Sequence, residues 1–212
     1  MKKRVIALVI IIISIILIII STNLVKKDDK IVICLDAGHG GSDVGAVLEN
    51  RHEKDDTLNI AKLVKQYLEE QNIRVIMTRE KDVNVTLYER CKIANKKKAD
   101  LFISIHRNSA TTGNGIEIWV NSKKESKDIK LANSILNNLE KTKIQNNRGI
   151  KYGTIKGENT DYYVLTNTHM PSCLIELGFI TDSKDNELLD NNVENYAKAI
   201  AKGIIKEIEE GI

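Results

Sequence analysis

The 212-residue sequence has little cysteine and almost no proline. Its three cysteines, Cys34, Cys91 and Cys173, include no C-x-x-C pair, and the odd count leaves at least one of them unpaired. Because they lie in apolar strand-like or helical patterns, we expect buried small apolar side chains and no disulfide framework. The single proline excludes a proline-rich linker.

Excess charge of one sign is also scarce. The formal net charge is +3, from 32 basic and 29 acidic residues, and Lys2, Lys3 and Arg4 account for all of it. The remainder sums to zero, which argues against a nucleic-acid-binding domain, since that class needs a basic face. The run Lys96–Lys98 is interpreted as a solvated helix end.

Three common motifs are absent: H-E-x-x-H, G-x-S-x-G and G-x-x-x-x-G-K-[ST]. Without them, the commonest metalloprotease helix, the α/β-hydrolase nucleophile elbow and the P-loop are removed from consideration.

One long apolar run is present, at Val5–Val25. As an uncharged helix rising about 1.5 Å per residue it spans roughly 30 Å, one hydrocarbon core. The basic residues before it predict a single-pass anchor in the cytoplasmic membrane with the rest of the chain outside. The alternative, a cleaved signal peptide, needs a shorter apolar region and a small-residue cleavage site that Ser21–Leu24 does not provide. Residues 26–30 are then a short polar linker.

Residues 31–212 alternate between strand and helix patterns and are long enough for one α/β domain, with no room for a second. The predicted strands are Ile31–Leu35, Ile73–Met77, Leu101–Ile105, Gly115–Val120, Tyr162–Leu165 and Cys173–Leu177. The predicted helices are Glu53–Glu70, Thr86–Ala94 with Thr86 as N-cap, Ser126–Leu139 and Val193–Ile208. This alternation predicts a three-layer α/β/α domain with a mostly parallel sheet.

Ionisable residues fall at or near the carboxyl ends of three predicted strands, where sites form in open α/β sheets. His39 lies in a glycine-rich loop, His106 follows Leu101–Ile105, and Glu176 interrupts an apolar run. Glu53 begins the first long helix, just after the His39 loop. A carboxylate in so apolar a run is costly unless it is paired or functional. Two imidazoles and a carboxylate form the ligand set of a catalytic zinc site, which leaves a position for water.

Each of these residues also has an ordinary structural explanation. A histidine at a strand end is commonly just hydrogen-bonded, a glutamate at a helix start complements the macrodipole, and Glu176 could belong to an ion pair. Spacing alone does not decide between these roles and a zinc site.

Five segments carry a resemblance that favours the zinc site. They are L-D-A-G-H-G-G-S-D-V-G-A (35–46), H-E-K-D-D-T-L-N-I-A (52–61), T-R-E (78–80), I-S-I-H-R-N (103–108) and M-P-S-C-L-I-E-L-G-F-I-T-D (170–182). Together, from about Ile31 to the C-terminus, they resemble the zinc-dependent N-acetylmuramoyl-L-alanine amidases (amidase type 3). Within that family, the chain looks most like the membrane-anchored spore-cortex branch of endospore formers.

The resemblance implies a six-stranded sheet and a Zn²⁺ ion held by His39, Glu53 and His106, with Glu176 as the catalytic carboxylate. It also implies a substrate, the peptidoglycan glycan strand with its stem peptide, cleaved at the amide bond between N-acetylmuramic acid and L-alanine. In the spore-cortex branch this cleavage precedes muramic δ-lactam formation by a second enzyme, and the catalytic domain faces the cortex. Whether an accessory protein is required for activity is left open.

Other residues near these segments are weaker candidates. His52 adjoins Glu53, but adjacent helical side chains diverge by about 100°, so we expect only Glu53 to face the metal. Candidates for orienting the ligands or contacting substrate are Asp36, Asp43, Arg107 and Asn108. Arg107 stands where many relatives carry a small residue, which puts the substrate subsite in question. Arg79 and Arg90 are expected to form structural ion pairs, and His169 to face solvent.

Two other functions stay open. A zinc peptidase or amidohydrolase acting on a free peptide would use the same metal and base. A non-catalytic wall-binding protein would need the fold but not Glu176, so the presence of Glu176 argues against it.

Overall fold

The computed structural model describes Ser14, residues 31–157 and residues 160–211. Apart from Ser14, the predicted anchor Val5–Val25 and the linker after it lie outside the described residues, so both stay predictions. In the described part of the chain, no helix is both long and apolar enough to cross a membrane.

The described part contains eight strands and five helices. The strands are β1 Val32–Ala37, β2 Val47–Leu48, β3 Arg51–His52, β4 Arg74–Met77, β5 Leu101–Asn108, β6 Ile116–Val120, β7 Asn147–Tyr152 and β8 Ser172–Phe179. The helices are α1 Glu53–Glu69, α2 Leu87–Lys96, α3 Ser126–Glu140, α4 Tyr163–Asn167 and α5 Ser183–Glu209.

Six of the strands form one sheet in the order β4-β1-β5-β8-β6-β7, and β2 pairs with β3 separately. Every neighbouring pair in the large sheet is parallel except β6 and β8. The predicted six-stranded, mostly parallel sheet is therefore confirmed.

Side chains alternate along the central strands between two apolar layers. Ile33 and Leu35 of β1 belong to the larger core, together with apolar residues of α1, α3 and α5. Cys34, the residue between them, lies in a second core with Cys91 of α2 and Leu165 of α4. The three-layer α/β/α arrangement is confirmed, and all three cysteines are buried and unpaired, as expected.

One predicted strand is wrong. Residues 162–165 do not pair in the sheet, and Tyr163–Asn167 form the short helix α4. Val164 and Leu165 are adjacent and both buried. So short an apolar run occurs in a buried helix as readily as in a buried strand, so the pattern did not distinguish the two. The sixth strand is instead β7, at the sheet edge, whose polar and partly exposed residues show no apolar alternation.

The start of one helix agrees with the sequence prediction, and the start of another does not. Thr86 caps α2 as predicted, since its side chain accepts from the Glu89 N–H and the Glu89 carboxylate accepts from the Thr86 N–H. Helix α5, by contrast, begins ten residues before the predicted Val193, with Asp182 as its N-cap. Its first segment is largely polar and ends at Asn192, whose backbone is not helical, so the apolar pattern becomes regular only beyond this point.

Candidate active site

The carboxyl ends of β1, β5 and β8 and the first residue of α1 meet at one edge of the sheet. His39 follows β1, and Glu53 starts α1. His106 lies inside β5, because that strand runs further than the predicted Leu101–Ile105. Glu176 lies inside β8, within the predicted strand Cys173–Leu177. His39, Glu53 and His106 each offer a ligand atom, and these atoms all lie within 4.8 Å of one another.

The Glu53 carboxylate lies between the two imidazoles. Its Oε2 is 3.1 Å from His39 Nε2, and its Oε1 is 2.9 Å from His106 Nδ1. The main-chain N–H groups of Ala46 and Arg107 donate to the same carboxylate. Burial raises the pKa of Glu53, but hydrogen bonds and charge from the two histidines outweigh it and hold the pKa well below its usual range. This donor set of two imidazoles and an ionised carboxylate fits Zn²⁺.

The loop between β1 and β2 brings its backbone against these ligands. A Cβ on Gly38 would collide with the His106 imidazole, and one on Gly45 would collide with Glu53 and His39. His39 itself has a φ of 60°, in the left-handed region, where a side chain is strained and must be held by its surroundings. The glycines therefore allow the close approach that the sequence pattern suggested.

Asp43 orients the first of the histidines. Its Oδ1 lies 2.9 Å from His39 Nδ1, which leaves Nε2 directed at Glu53. Burial lowers the pKa of His39, while hydrogen bonds and charge from Glu53 and Asp43 raise it overall. A carboxylate behind a histidine in this way is the usual second partner of a metal-ligating imidazole.

Glu176 is the fourth member of the cluster. The strand register places it directly opposite His106 on β5 and opposite Glu117 on β6. Its Oε2 is buried and has no hydrogen-bond partner among the described residues. Burial raises the pKa of Glu176 well above its ordinary value, and the nearby carboxylates of Glu53 and Glu117 raise it further. A bound cation would act in the opposite sense.

Comparison with known proteins identifies the family. Residues 33–206 match the family model described as N-acetylmuramoyl-L-alanine amidase. The chain belongs to this amidase family. The predicted enzyme class, and with it peptidoglycan as the substrate class, is confirmed.

Individual relatives agree with this assignment. The chain is 37% identical over 179 residues to the uncharacterized protein YqiI of Bacillus subtilis (strain 168), covering 84% of this chain and 82% of YqiI. It is 33% identical over 196 residues to the germination-specific N-acetylmuramoyl-L-alanine amidase of the same strain, covering 82% and 78%. The CwlD amidase of Clostridioides difficile, solved in complex with the GerS lipoprotein, matches with a TM-score of 0.78 at 30% identity, over 85% of this chain and all of that one. The likeness to CwlD is thus confirmed.

Two arginines hold the His39 loop of this amidase in place. Arg90 Nη1 pairs with Asp36 Oδ1 at 2.7 Å, as expected, and the same guanidinium donates to the carbonyls of Ala37 and His39. Arg79 donates instead to main-chain carbonyls, those of Ala37, Gly38 and Lys54. The ion pair expected for Arg79 is not seen among the described residues. Because main-chain acceptors leave no trace in a sequence, this loop-holding role was missed.

Three of the weaker candidates make their side-chain contacts away from the ligand atoms. Asp36 is buried and accepts hydrogen bonds of 2.7 Å from Thr78, Ser104 and Arg90. Asn108 donates to Glu117 at 2.7 Å. Arg107 turns its side chain to the opposite face of β5, where it is 0% exposed. That side chain contacts Asp56 and Asn186 and is not exposed to the cleft.

Glu117 is a buried carboxylate that the sequence reasoning missed. Arg148, Asn108 and Trp119 all donate to it, at 2.8, 2.7 and 3.1 Å. The signal was the same as for Glu176, a carboxylate within an apolar strand, here Ile116–Val120.

The remaining histidines lie outside the cluster. His52 occupies the N-cap position of α1 with its side chain 38% exposed, and its Nδ1 is 3.6 Å from Asp55. His169 is exposed, and its main-chain N–H donates to Asn95 Oδ1. It lines a separate polar pocket with Asp128 and Lys127.

The cluster forms the floor of a cleft of about 490 Å³ on the sheet face covered by α2 and α4. Its walls carry apolar side chains that remain exposed, namely Leu87, Ile155 and Tyr163. Tyr162 packs edge-on against Trp119, and burial raises the pKa of Tyr162 to about 12, so its hydroxyl stays protonated at neutral pH. The cleft can therefore hold a substrate against three candidate metal ligands and the buried carboxylate of Glu176.

Proposed function

We propose that this amidase is a zinc enzyme that hydrolyses the bond between the lactyl group of N-acetylmuramic acid and L-alanine, and that it acts in spore-cortex maturation. The observation that carries the proposal is the convergence of His39, Glu53 and His106 beside a buried carboxylate, Glu176, whose Oε2 has no hydrogen-bond partner among the described residues.

The residues of the site have different roles in this proposed reaction. A Zn²⁺ ion bound by His39, Glu53 and His106 would supply Lewis acidity toward water and the substrate carbonyl. Asp43 accepts from His39 Nδ1–H and thereby fixes the tautomer that presents Nε2. The apolar side chains of the cleft walls offer a contact surface for the substrate beside these groups.

Glu176 moves the proton. Its buried Oε2, which has no hydrogen-bond partner among the described residues, can accept a proton from the attacking water and then donate it to the departing amine of L-alanine. The two oxygens of Glu53 face one histidine each. These contacts lower the pKa of Glu53, so its carboxylate stays ionised. Because their surroundings shift the pKa values of Glu53 and Glu176 in opposite directions, the two carboxylates are suited to different roles.

Metal analysis tests the ligand set. We expect one zinc ion per domain in the purified full-length protein, and severe loss of zinc in His39→Ala and in His106→Ala. His52→Ala is the matched control, because its ring lies outside the cluster, and it should keep its zinc. If His52→Ala loses the metal while the other two variants retain it, the ligand assignment is wrong.

The role in the spore cortex is supported by two relatives, one named as a germination-specific amidase and the other as CwlD. Muropeptides from spores of the parent organism lacking this protein should contain no muramic δ-lactam, because the second enzyme would lack its substrate. A normal δ-lactam content in those spores would remove the cortex role while leaving the amidase activity intact.

An accessory protein is part of the proposal, supported by the solved complex of CwlD with the GerS lipoprotein. We expect the purified full-length amidase to turn over faster when membrane lipoproteins of sporulating cells are added. Equal rates with and without that fraction would show that the chain acts alone.

A further inference from the structure

Arg107 directly follows the ligand candidate His106, yet its side chain lies on the other face of the sheet. Its Nη1 is 2.6 Å from Asp56 Oδ2, and its Nη2 is 2.7 Å from Asn186 Oδ1. With 0% of the side chain exposed, the guanidinium has lost its hydration and depends on these contacts. A buried cation with two such partners has one well-defined position.

The partner Asp56 lies on α1, three residues after Glu53, so the two face the same side of the helix. Arg107 therefore holds the start of α1 in two ways. Its guanidinium pairs with Asp56, and its main-chain N–H donates to Glu53 Oε1 at 3.0 Å. The contacts join the element that carries one ligand candidate to the element that carries another.

We propose that Arg107 is a positioning residue for the metal site, whose ion pair with Asp56 sets the separation of Glu53 from His106. This inference rests on the proposed zinc function and adds to it a residue outside the ligand set. Metal ligands must be held to within about half an ångström of their working geometry. A strut between α1 and β5 supplies that constraint from behind the cleft, where substrate does not reach.

The variant Arg107→Met removes the strut without leaving an unpaired carboxylate. Methionine preserves an unbranched apolar stem, and Asp56 keeps Arg51, whose Nε is 2.8 Å from Asp56 Oδ2. The matched control is Arg51→Met, which takes a cation from the same Asp56 and from Asp190. Arg51 lies on β3, and its side-chain hydrogen bonds go to α1 and α5, so the control spares the link to β5. Arg107→Lys restores a cation at Asp56.

The first measurement needs no metal. In the zinc-free full-length protein, the residue-107 amide should exchange with solvent roughly tenfold faster in Arg107→Met than in the wild type, because its hydrogen bond to Glu53 is no longer held. Arg51→Met should match the wild type, and Arg107→Lys should regain most of the protection. The second measurement is zinc affinity by chelator competition, which should fall about 10–100-fold in Arg107→Met and little in Arg51→Met.

Unchanged exchange at residue 107 in Arg107→Met would overturn the proposal, and so would faster exchange with unaltered zinc affinity. Equal loss of zinc affinity in both methionine variants would show a general stability effect and would also overturn it. If Arg107→Met does not fold, Asp56→Asn decides, because it removes the charge from the other half of the pair. Faster exchange at residue 107 and weaker zinc binding than in Arg51→Met support the strut, and wild-type values in both oppose it. A wild-type protein that binds no zinc would count against the proposed function, while the exchange experiment would still decide whether Arg107 holds Glu53.

Discussion

Glu176 and Glu117 lie side by side on neighbouring strands, and their partners differ. Three donors surround Glu117, whereas one oxygen of Glu176 has none in the described part of the chain. A buried carboxylate that is saturated with donors is fixed as an acceptor, while one without donors remains available to a proton. At the scale of single residues, this contrast is why we propose Glu176, and not Glu117, as the group that transfers the proton.

Replacing Glu176 by glutamine tests that distinction. The nearly isosteric Glu176→Gln should fold, keep its zinc and bind peptidoglycan, but lose activity by about 10²–10⁴-fold, the usual worth of general acid–base catalysis. Metal content and turnover, measured on the same preparation, are the readout. Loss of zinc would make Glu176 a ligand, and undiminished hydrolysis would assign the proton transfer to another group.

The buried ion pair of Asp36 with Arg90 should contribute to the acid sensitivity of the fold. Burial raises the pKa of Asp36, but Arg90, Thr78 and Ser104 outweigh it and lower the pKa below its ordinary 3.8. The unfolded chain then binds the proton more readily, so this stabilisation is complete above pH 3.8 and is lost as the pH falls through the lowered value.

Asp36→Ala should accordingly lower the free energy of unfolding at pH 7 by about 3–5 kcal/mol, because it leaves Arg90 buried without its carboxylate. Denaturant unfolding between pH 2 and pH 7, with Asp36→Asn as the uncharged comparison, gives the measurement. Both variants lack the titrating carboxylate, so each should lose less stability than the wild type on acidification below pH 3.8. Parallel curves would show that Asp36 does not contribute to the acid transition.

At the scale of elements, the central strands were predictable because both of their faces are buried. β1, β5 and β8 therefore appear in the sequence as continuous apolar runs. Edge strand β7 pairs on one side and needs no such run, which is why it was missed and the apolar stretch at α4 was taken in its place. The positions of His39, His106 and Glu176 near the ends of predicted strands were enough to bring them together in one site. The hydrogen bonds from Arg79 and Arg90 to carbonyls of the His39 loop leave no pattern in the sequence and could not be predicted.

The loop after β1 has no room for a side chain at Gly38. Gly38 does not adopt a positive φ, so Gly38→Ala introduces no backbone strain, only a collision with the His106 ring. We expect zinc affinity to fall about 10–100-fold, as for other disturbed ligand supports, with about 1–3 kcal/mol lost in stability from overpacking. Gly149→Ala is the comparison, since a Cβ there meets nothing within 4 Å and only its φ of 83° is strained. Equal zinc affinity in the two variants would contradict the packing argument.

At the scale of the whole molecule, the location of the amidase is a proposal supported by the uncharged run Val5–Val25 behind Lys2, Lys3 and Arg4. The full-length protein should fractionate with the cytoplasmic membrane, and its catalytic domain should be cleaved by protease added from the outer side. Full-length protein recovered in the soluble cytoplasmic fraction would refute this topology.

The central claim is that a zinc site with Glu176 beside it cuts one particular amide bond. Mass spectrometry of purified peptidoglycan after incubation with the zinc-loaded protein tests it most directly. We expect intact stem peptides with a free N-terminal L-alanine and glycan strands with unsubstituted muramic acid, a reaction abolished by chelation and restored by Zn²⁺. Cleavage between amino acids of the stem peptide, or release of intact stem peptides that persists in the chelated protein, would contradict the account.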